Sequence, residues 1–359
     1  MSTRSQILGL DKRRALFTAA LALLLAVGAV TLIGQVADFD EIVDAVRRAD
    51  KDWFPVCLAG LVCAYAGYIL GYREVARMHG GPSLPLWTVT RIVGIGFGAN
   101  VLGSAAGGLA VDFWALRRAG AGVHDSARRV LGFNTLEWAL LGTAAMLAAA
   151  VVMAGRGRGA PLAMTLPWLI GIPLCIGAAV WVSSPRGRRR FGTVEQSAPR
   201  KPGRSPRSWA AWLWVKLKRG LADAVGGVVV VRHLVAHPGR HPAGIVGFAV
   251  YWFGHLFTLY AALRAFGVHT IEVSPLVLAF ATGYAATALP LPGGGSGGIE
   301  AALAFSLHAV GVPLAPALLA ALVYRFFTFW LPIVPALALI PSVKGLDSEL
   351  SHLPKRSAA

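Results

Sequence analysis

Read for apolar and polar positions, the chain alternates long hydrophobic runs with short charged stretches. Apolar runs cover 15–36, 54–70, 86–116, 130–154, 161–182, 243–266, 275–310 and 312–340. A helix needs about 20 mostly apolar residues to cross roughly 30 Å of hydrocarbon. The pattern therefore predicts an all-α polytopic membrane protein with about eight hydrophobic segments. Run 15–36 follows Arg4, Lys12, Arg13 and Arg14. Its apolar core is longer than the h-region of a signal peptide and no small-x-small cleavage site follows, so it reads as a signal anchor.

Two runs are broken. Run 86–116 contains GSAAGGLA at 103–110, a poor helix interior because glycine costs about 1 kcal/mol relative to alanine. Run 275–310 contains PLPGGGSGG at 290–298. Each is too short for two full crossings. The reading is six full spans plus two glycine-broken re-entrant hairpins; eight plain spans are the alternative. Gly107 and Gly108 precede Gly297 and Gly298 by 190 residues, and each pair leads into a short apolar helix and a Gly-Val pair. Broken helices entering from opposite faces are the pattern of inverted-repeat transporters, whose sites form at the midplane.

Charge orients this arrangement. The formal net charge is +17, yet only 14% of the 359 residues are charged and 56% are hydrophobic. The basic residues sit in loops, as the positive-inside rule requires, rather than in a surface built for nucleic acid. Six carboxylates fall between 38 and 52, which reads as outside. Arg73, Arg77, Arg117, Arg118, Arg128, Arg129 and the 13 Lys and Arg of segment 184–240 read as cytoplasmic. Both termini are then cytoplasmic. The organisation is a tail at 1–14, a transmembrane domain at 15–341 carrying the basic loop 184–240, and a tail at 342–359. Within that loop 184–208 reads as flexible, and Trp209, Trp212 and Trp214 beside Lys216, Lys218 and Arg219 suit a helix in the headgroup region or an anchored linker. Cys57, Cys63 and Cys175 lie in apolar runs without metal or disulfide spacing and read as small core residues. No cofactor motif and no metal site is expected.

Ionisable groups inside a span are costly and tend to face a cavity or a partner. The candidates are Asp112, Glu137, Glu300 and Arg325, with Arg117 at a helix end. Glu137 reads as one turn into the fourth span and without a role. Glu300 falls in the first turn of a short helix after the glycine turn. A helix N-terminus offers free N–H groups and partial positive charge, and glycines let a phosphate approach closely. The turn residues Pro292, Gly293, Gly294, Gly295, Gly297 and Gly298 are therefore candidates to cradle a lipid phosphate; the bland alternative is tight packing with Glu300 complementing the dipole. Arg325, beside Tyr324, is the expected partner of Glu300. Gly107, Gly108 and Asp112 occupy the related place in the first half. An enzyme would need paired catalytic groups. The nearest pair, Glu300 and His308, lies about 80° apart on a helix.

The stretch LPLPGGGSGGIEAA from 289, GVPL from 311 and YRFFTFWLP from 324 resembles the lysylphosphatidylglycerol synthase transmembrane-region family over roughly residues 15 to 341. GSAAGG at 103–108 lacks the proline that relatives often carry before their glycines. The resemblance implies a multi-pass protein of the cytoplasmic membrane that binds or translocates a lipid or lipid-linked headgroup, with anionic or aminoacylated phospholipid as the expected partner. Only 18 residues follow Pro341, so the synthase activity in the family's title is not expected here. A non-transporting subunit of a lipid or glycan synthesis complex and a membrane enzyme on a lipid-linked substrate are the alternatives.

Overall fold

A computed structural model describes residues 39–103, 106–155, 159–187, 206–288 and 297–353. Among them there is no strand. The helices are α1 (Phe39–Arg47), α2 (Trp53–Arg77), α3 (Leu86–Gly103), α4 (Ala106–Arg118), α5 (Val123–Met153), α6 (Leu162–Ser183), α7 (Pro206–Ala236), α8 (Pro242–Ala265), α9 (Val273–Tyr284), α10 (Gly298–Ala309), α11 (Leu314–Arg325), α12 (Ile333–Leu339) and α13 (Val343–Ser351). Five stretches are long and apolar enough to cross a membrane: α2, α5, α6, α8 and the continuous Leu314–Ser351. They coincide with five of the six expected spans. The sixth, 15–36, lies outside the described residues. The protein is an all-α, multi-pass membrane protein.

Both broken runs fold as antiparallel helical hairpins. In the first, α3 and α4 have 18 and 13 residues. In the second, α9 and α10 have 12 each. At 1.5 Å per residue these α-helices are about 27, 20, 18 and 18 Å long, and α9 continues as a 3-10 turn over Ala285–Ala288. The arms meet through glycine. A Cβ on Gly108 would lie 3.3 Å from the Gly96 carbonyl oxygen, and one on Gly283 would lie 2.6 Å from the Leu303 Cα. Each hairpin leaves through the same turn. Gly120 (φ +94°) follows α4 and Gly311 (φ +96°) follows α10. The next N–H, from Ala121 or Val312, donates to the carbonyl of Leu116 or Leu307 at 3.0 and 3.1 Å. These are left-handed glycine caps that satisfy orphan carbonyls at the helix end. The turns align the halves at an offset of 191 residues.

A second feature fixes the relation between the halves. Helices α2 and α8 cross antiparallel on glycines. A Cβ on Gly67 would strike the Gly247 carbonyl oxygen and sit 2.5 Å from the Tyr251 nitrogen. One on Gly254 would sit 2.6 Å from the Gly60 carbonyl oxygen and 2.5 Å from the Ala64 nitrogen. Gly60 precedes Gly67 by the same seven residues that separate Gly247 from Gly254. Gly60 thus packs on Gly254 and Gly67 on Gly247. That reciprocal pattern is what a two-fold axis produces. With antiparallel partners, the crossing of α2 and α8 is locally two-fold. Small residues let the backbones approach closely, which drives helix association where the solvent is as apolar as the side chains.

The apolar interior divides the same way. One buried cluster gathers α9, α10 and α11 against the ends of α5 and α8 that lie nearest the 39–52 segment. The other gathers α3, α4 and α13 against the basic ends of α2 and α5. The basic end is held by polar anchors. Arg129 Nη1 donates to the carbonyls of Val75, Ala76 and Met78 at 3.2, 2.9 and 2.6 Å, closing the orphan acceptors at the end of α2.

Several expectations change. Helix α5 begins at Val123, because Gly122 caps it in an extended conformation and Asp125 complements the dipole of its first turn. Glu137 is therefore mid-helix, not one turn in. Residues 206–236 form one continuous helix lying along α5, where Gly227 meets Gly132. The Trp209, Trp212 and Trp214 side chains and most of 184–208 lie outside what is described. Within the expected tail 342–359, residues 343–351 form a helix that buries Val343, Leu346 and Leu350. Of the cysteines, Cys57 is buried, Cys63 is partly buried and Cys175 is exposed, so the core reading holds fully only for Cys57.

Candidate functional site

The second hairpin carries a buried ion pair. Gly297 caps α10 with φ +84°, a conformation that favours glycine. Glu300 then falls in the first helical turn, 2% exposed. Its Oε2 accepts the Gly297 N–H at 2.7 Å, and its Oε1 accepts from Arg325 Nε at 3.1 Å. Arg325, 6% exposed, is the last residue of α11. The helix continues as a π turn over Phe326–Trp330, where the Leu331 N–H donates to the Phe326 carbonyl at 2.8 Å. Such turns recur at functional sites because they redirect side chains within a helix. Here the Arg325 guanidinium stacks on Phe329, 4.1 Å from the ring centre. Phe329 in turn lies edge-on to Phe97 of α3, with centroids 6.2 Å apart. The last span therefore carries the ion pair on one side and touches the first hairpin on the other. Gly98 of α3 also meets Ala336 of α12, where an added Cβ would lie 3.2 Å from the alanine Cβ.

Tyr324 is fully buried and its hydroxyl pairs with His255 Nδ1 at 2.7 Å. His255 sits in the middle of α8, wrapped by Tyr251, Trp252, Phe280 and Tyr284. The sequence reading passed over His255. The signal was available, since an imidazole inside an apolar run is itself an intramembrane ionisable group. His308 stands apart from Glu300: its Nδ1 lies 2.9 Å from the Val312 carbonyl and ties down the turn after α10.

The first hairpin is built differently. Asp112 and Glu137 are 5% and 8% exposed. Neither takes part in an ion pair among the described residues. The Glu137 backbone carbonyl accepts from Trp252 Nε1 of α8 at 2.8 Å, and an added Cβ on Gly96 of α3 would lie 3.9 Å from Asp112 Oδ1. Gly107 and Gly108 let α4 press against Ala99, Asn100 and Gly96 of α3. Arg117 does not join the site: it is exposed, and its Nη1 bonds the Ala121 carbonyl of its own turn at 2.7 Å. At the 191-residue offset Glu300 corresponds to Leu109 and Arg325 to Asn134, so the ion pair has no counterpart in the first half.

Of the sequence candidates, the structure brings together Gly297, Gly298, Glu300, Tyr324 and Arg325. Pro292, Gly293, Gly294 and Gly295 lie outside the described residues, as does the expected cavity at that turn. A cavity of about 250 Å³ among the described residues lies elsewhere, between the 266–272 loop and the turn at Gly311. No group of three metal-ligating side chains occurs among the described residues.

The family model described as the lysylphosphatidylglycerol synthase TM region matches residues 19–336. No curated protein matches the chain.

Proposed function

The chain belongs to the lysylphosphatidylglycerol synthase transmembrane-region family, and from that premise we propose that it translocates a lipid or lipid-linked headgroup across the cytoplasmic membrane, with no enzymatic step. The observation that carries the reading is the buried Glu300–Arg325 pair at the N-terminus of α10. An arginine held in a dry interior needs an anion, and Glu300 supplies one. A lipid phosphate matches the same guanidinium and the same capping N–H groups. Glu300 then acts as the resting occupant: the phosphate displaces it, and its return releases the phosphate. This resolves the conflict between a carboxylate and an anion site, because the two alternate rather than coexist.

The remaining parts of the reading follow from charge. The end bearing Arg73, Arg77, Arg118 and Arg129 faces the cytoplasm. The partner is membrane lipid, anionic or aminoacylated phospholipid, and not nucleic acid. No cofactor is required.

The test is reconstitution into liposomes containing anionic and aminoacylated phospholipids, scoring their appearance in the opposite leaflet. Protein-dependent movement that Arg325→Ala removes is the expected result. Equal movement with and without protein, for every headgroup, rejects transport. Co-purification with lipid or glycan synthesis enzymes in that case favours the non-transporting subunit.

A further inference from the structure

At the basic end, helix α13 covers a set of hydrogen-bond donors on the first hairpin. Arg91 Nη1 donates to Glu349 Oε2 at 2.7 Å, Nη2 to the Ser342 carbonyl at 2.7 Å and Nε to the Ser342 hydroxyl at 3.3 Å. The Thr88 hydroxyl donates to Glu349 Oε1. From the other arm, Arg118 Nε lies 2.7 Å from Asp347 Oδ1. Two arginines and a hydroxyl, from both arms of the hairpin, thus converge on two carboxylates of one short helix. Among the described residues, the Arg91 and Thr88 side chains bond only Ser342 and Glu349.

This donor set is built into the hairpin, whereas its occupant is loosely held. Arg91 and Thr88 are 8% and 0% exposed. They lie in the first two turns of α3, which carries no acidic residue of its own in its first turn. A helix N-terminus favours negative charge, and here Glu349 supplies it. A guanidinium this buried needs an anion, so whatever displaces α13 must bring another. Helix α13 has nine residues, fewer than the roughly 12 that an isolated helix needs to persist. It docks through Val343, Leu346 and Leu350. Its pair with Arg118 is partly exposed and therefore screened. Beside Thr88, Leu86 and Trp87 are exposed. A tryptophan at the polar end of apolar helices suits the headgroup level of a bilayer.

We propose that Arg91, Thr88 and Arg118 form a binding site for the phosphate of an anionic lipid headgroup, and that Glu349 and Asp347 of α13 occupy it at rest. Guanidinium groups grip carboxylate and phosphate oxygens with the same geometry. Free phosphate offers the same oxygens, but the exposed Leu86 and Trp87 place the site against lipid. Helix α13 is then a strap across the two arms of the first hairpin, and an anionic lipid that takes its place releases them. The site is separate from the Glu300–Arg325 pair and stands without the transport reading. Only a role for the strap in gating transport rests on that reading.

The test places the full chain in vesicles of phosphatidylcholine alone and in vesicles that also contain phosphatidylglycerol, and follows amide exchange. The anionic lipid is expected to speed exchange across 343–351 about tenfold, as a ligand at about ten times its dissociation constant does when it binds only the undocked form. Helix α10 should keep its rate and serves as the reference. The double variant Arg91→Gln with Glu349→Gln keeps the apolar contacts of α13 but removes the guanidinium beside Thr88. Its exchange should be the same in both vesicles. Arg118→Gln leaves Arg91 and Glu349 paired, so α13 stays docked, and the acceleration should fall below that of the wild type. Equal wild-type rates in the two vesicles, or full acceleration in both variants, overturn the site. Equal acceleration by inorganic phosphate in phosphatidylcholine vesicles overturns the lipid as its source.

Discussion

The two glycine hairpins are the comparison on which this molecule turns. Both fold as paired antiparallel helices, both exit through a left-handed glycine, and both feed a long span. Backbone geometry has therefore been kept where the chain must turn. Side-chain charge has not. One hairpin holds Glu300 against Arg325, the other buries Asp112 without an ion pair among the described residues. The two hairpins thus set the Glu300–Arg325 pair in one half and an unpaired buried carboxylate in the other.

Breaking the ion pair is the strongest way to test the difference. Arg325→Ala leaves Glu300 buried and unpaired, which costs about 3–5 kcal/mol in stability. Lipid movement is expected to fall at least about a hundredfold. The double variant Glu300→Gln with Arg325→Met replaces the pair by a neutral, well-filled one. It should recover the melting temperature but not the transport, because no guanidinium remains for a phosphate. The first half predicts the reverse sign. Asp112→Asn removes a buried charge that has no ion pair among the described residues, so its melting temperature should hold or rise. A fall as large as that of Arg325→Ala would mean that Asp112 has a cationic partner and that the halves are alike after all.

The next test bears on the symmetry itself. Gly67→Ala and Gly254→Ala each thrust a methyl group against backbone atoms of the opposite helix. Overpacking of this kind costs roughly 1–3 kcal/mol. If the axis runs between α2 and α8, the two losses agree within about 1 kcal/mol, measured by thermal unfolding in detergent. Gly120→Ala and Gly311→Ala form a gentler matched pair. Each forces a side chain into the left-handed region at a cost of about 1–2 kcal/mol, and at Gly311 there is open space around it. Unequal losses at either matched pair would reduce the repeat to a resemblance of outline.

What the sequence disclosed follows from which forces act locally. Hydrocarbon demands long apolar runs, so the spans could be read directly, and loop charge separated the two ends. Glu300 and Arg325 stood out because a charge inside an apolar run is conspicuous. Helix α5 was misjudged because its first turns, HDSARR at 124–129, are polar. They are helical yet lie beyond the apolar run, and hydropathy marks the membrane rather than the helix. Glu137 was displaced by the same error. His255 was missed because a single neutral imidazole barely changes the hydropathy of a span. The glycine stripes of α2 and α8 were invisible among 42 glycines. Only the pairing of Gly60 with Gly254 and Gly67 with Gly247 makes them a pattern, and that pairing is a tertiary fact.

The smallest expected effect concerns the C-terminal helix, which marks one more difference between the hairpins. Helix α13 buries Val343, Leu346 and Leu350 and ties both arms of the first hairpin from outside. Glu349 bonds Arg91 and the Thr88 hydroxyl on α3, and Asp347 bonds Arg118 on α4. The corresponding mouth of the second hairpin, at 266–272 and 310–313, borders a cavity instead. Glu349 is about one-third exposed, so the pair with Arg91 is partly screened. Glu349→Gln should weaken docking by no more than about 1 kcal/mol. That corresponds to roughly fivefold faster amide exchange across 343–351, with α10 unchanged. Faster exchange in both hairpins would mean that they open as one unit. Confinement to the first would mean that the acidic half-site can open toward the basic end while the arginine half-site stays closed, as alternation between two faces of a membrane requires.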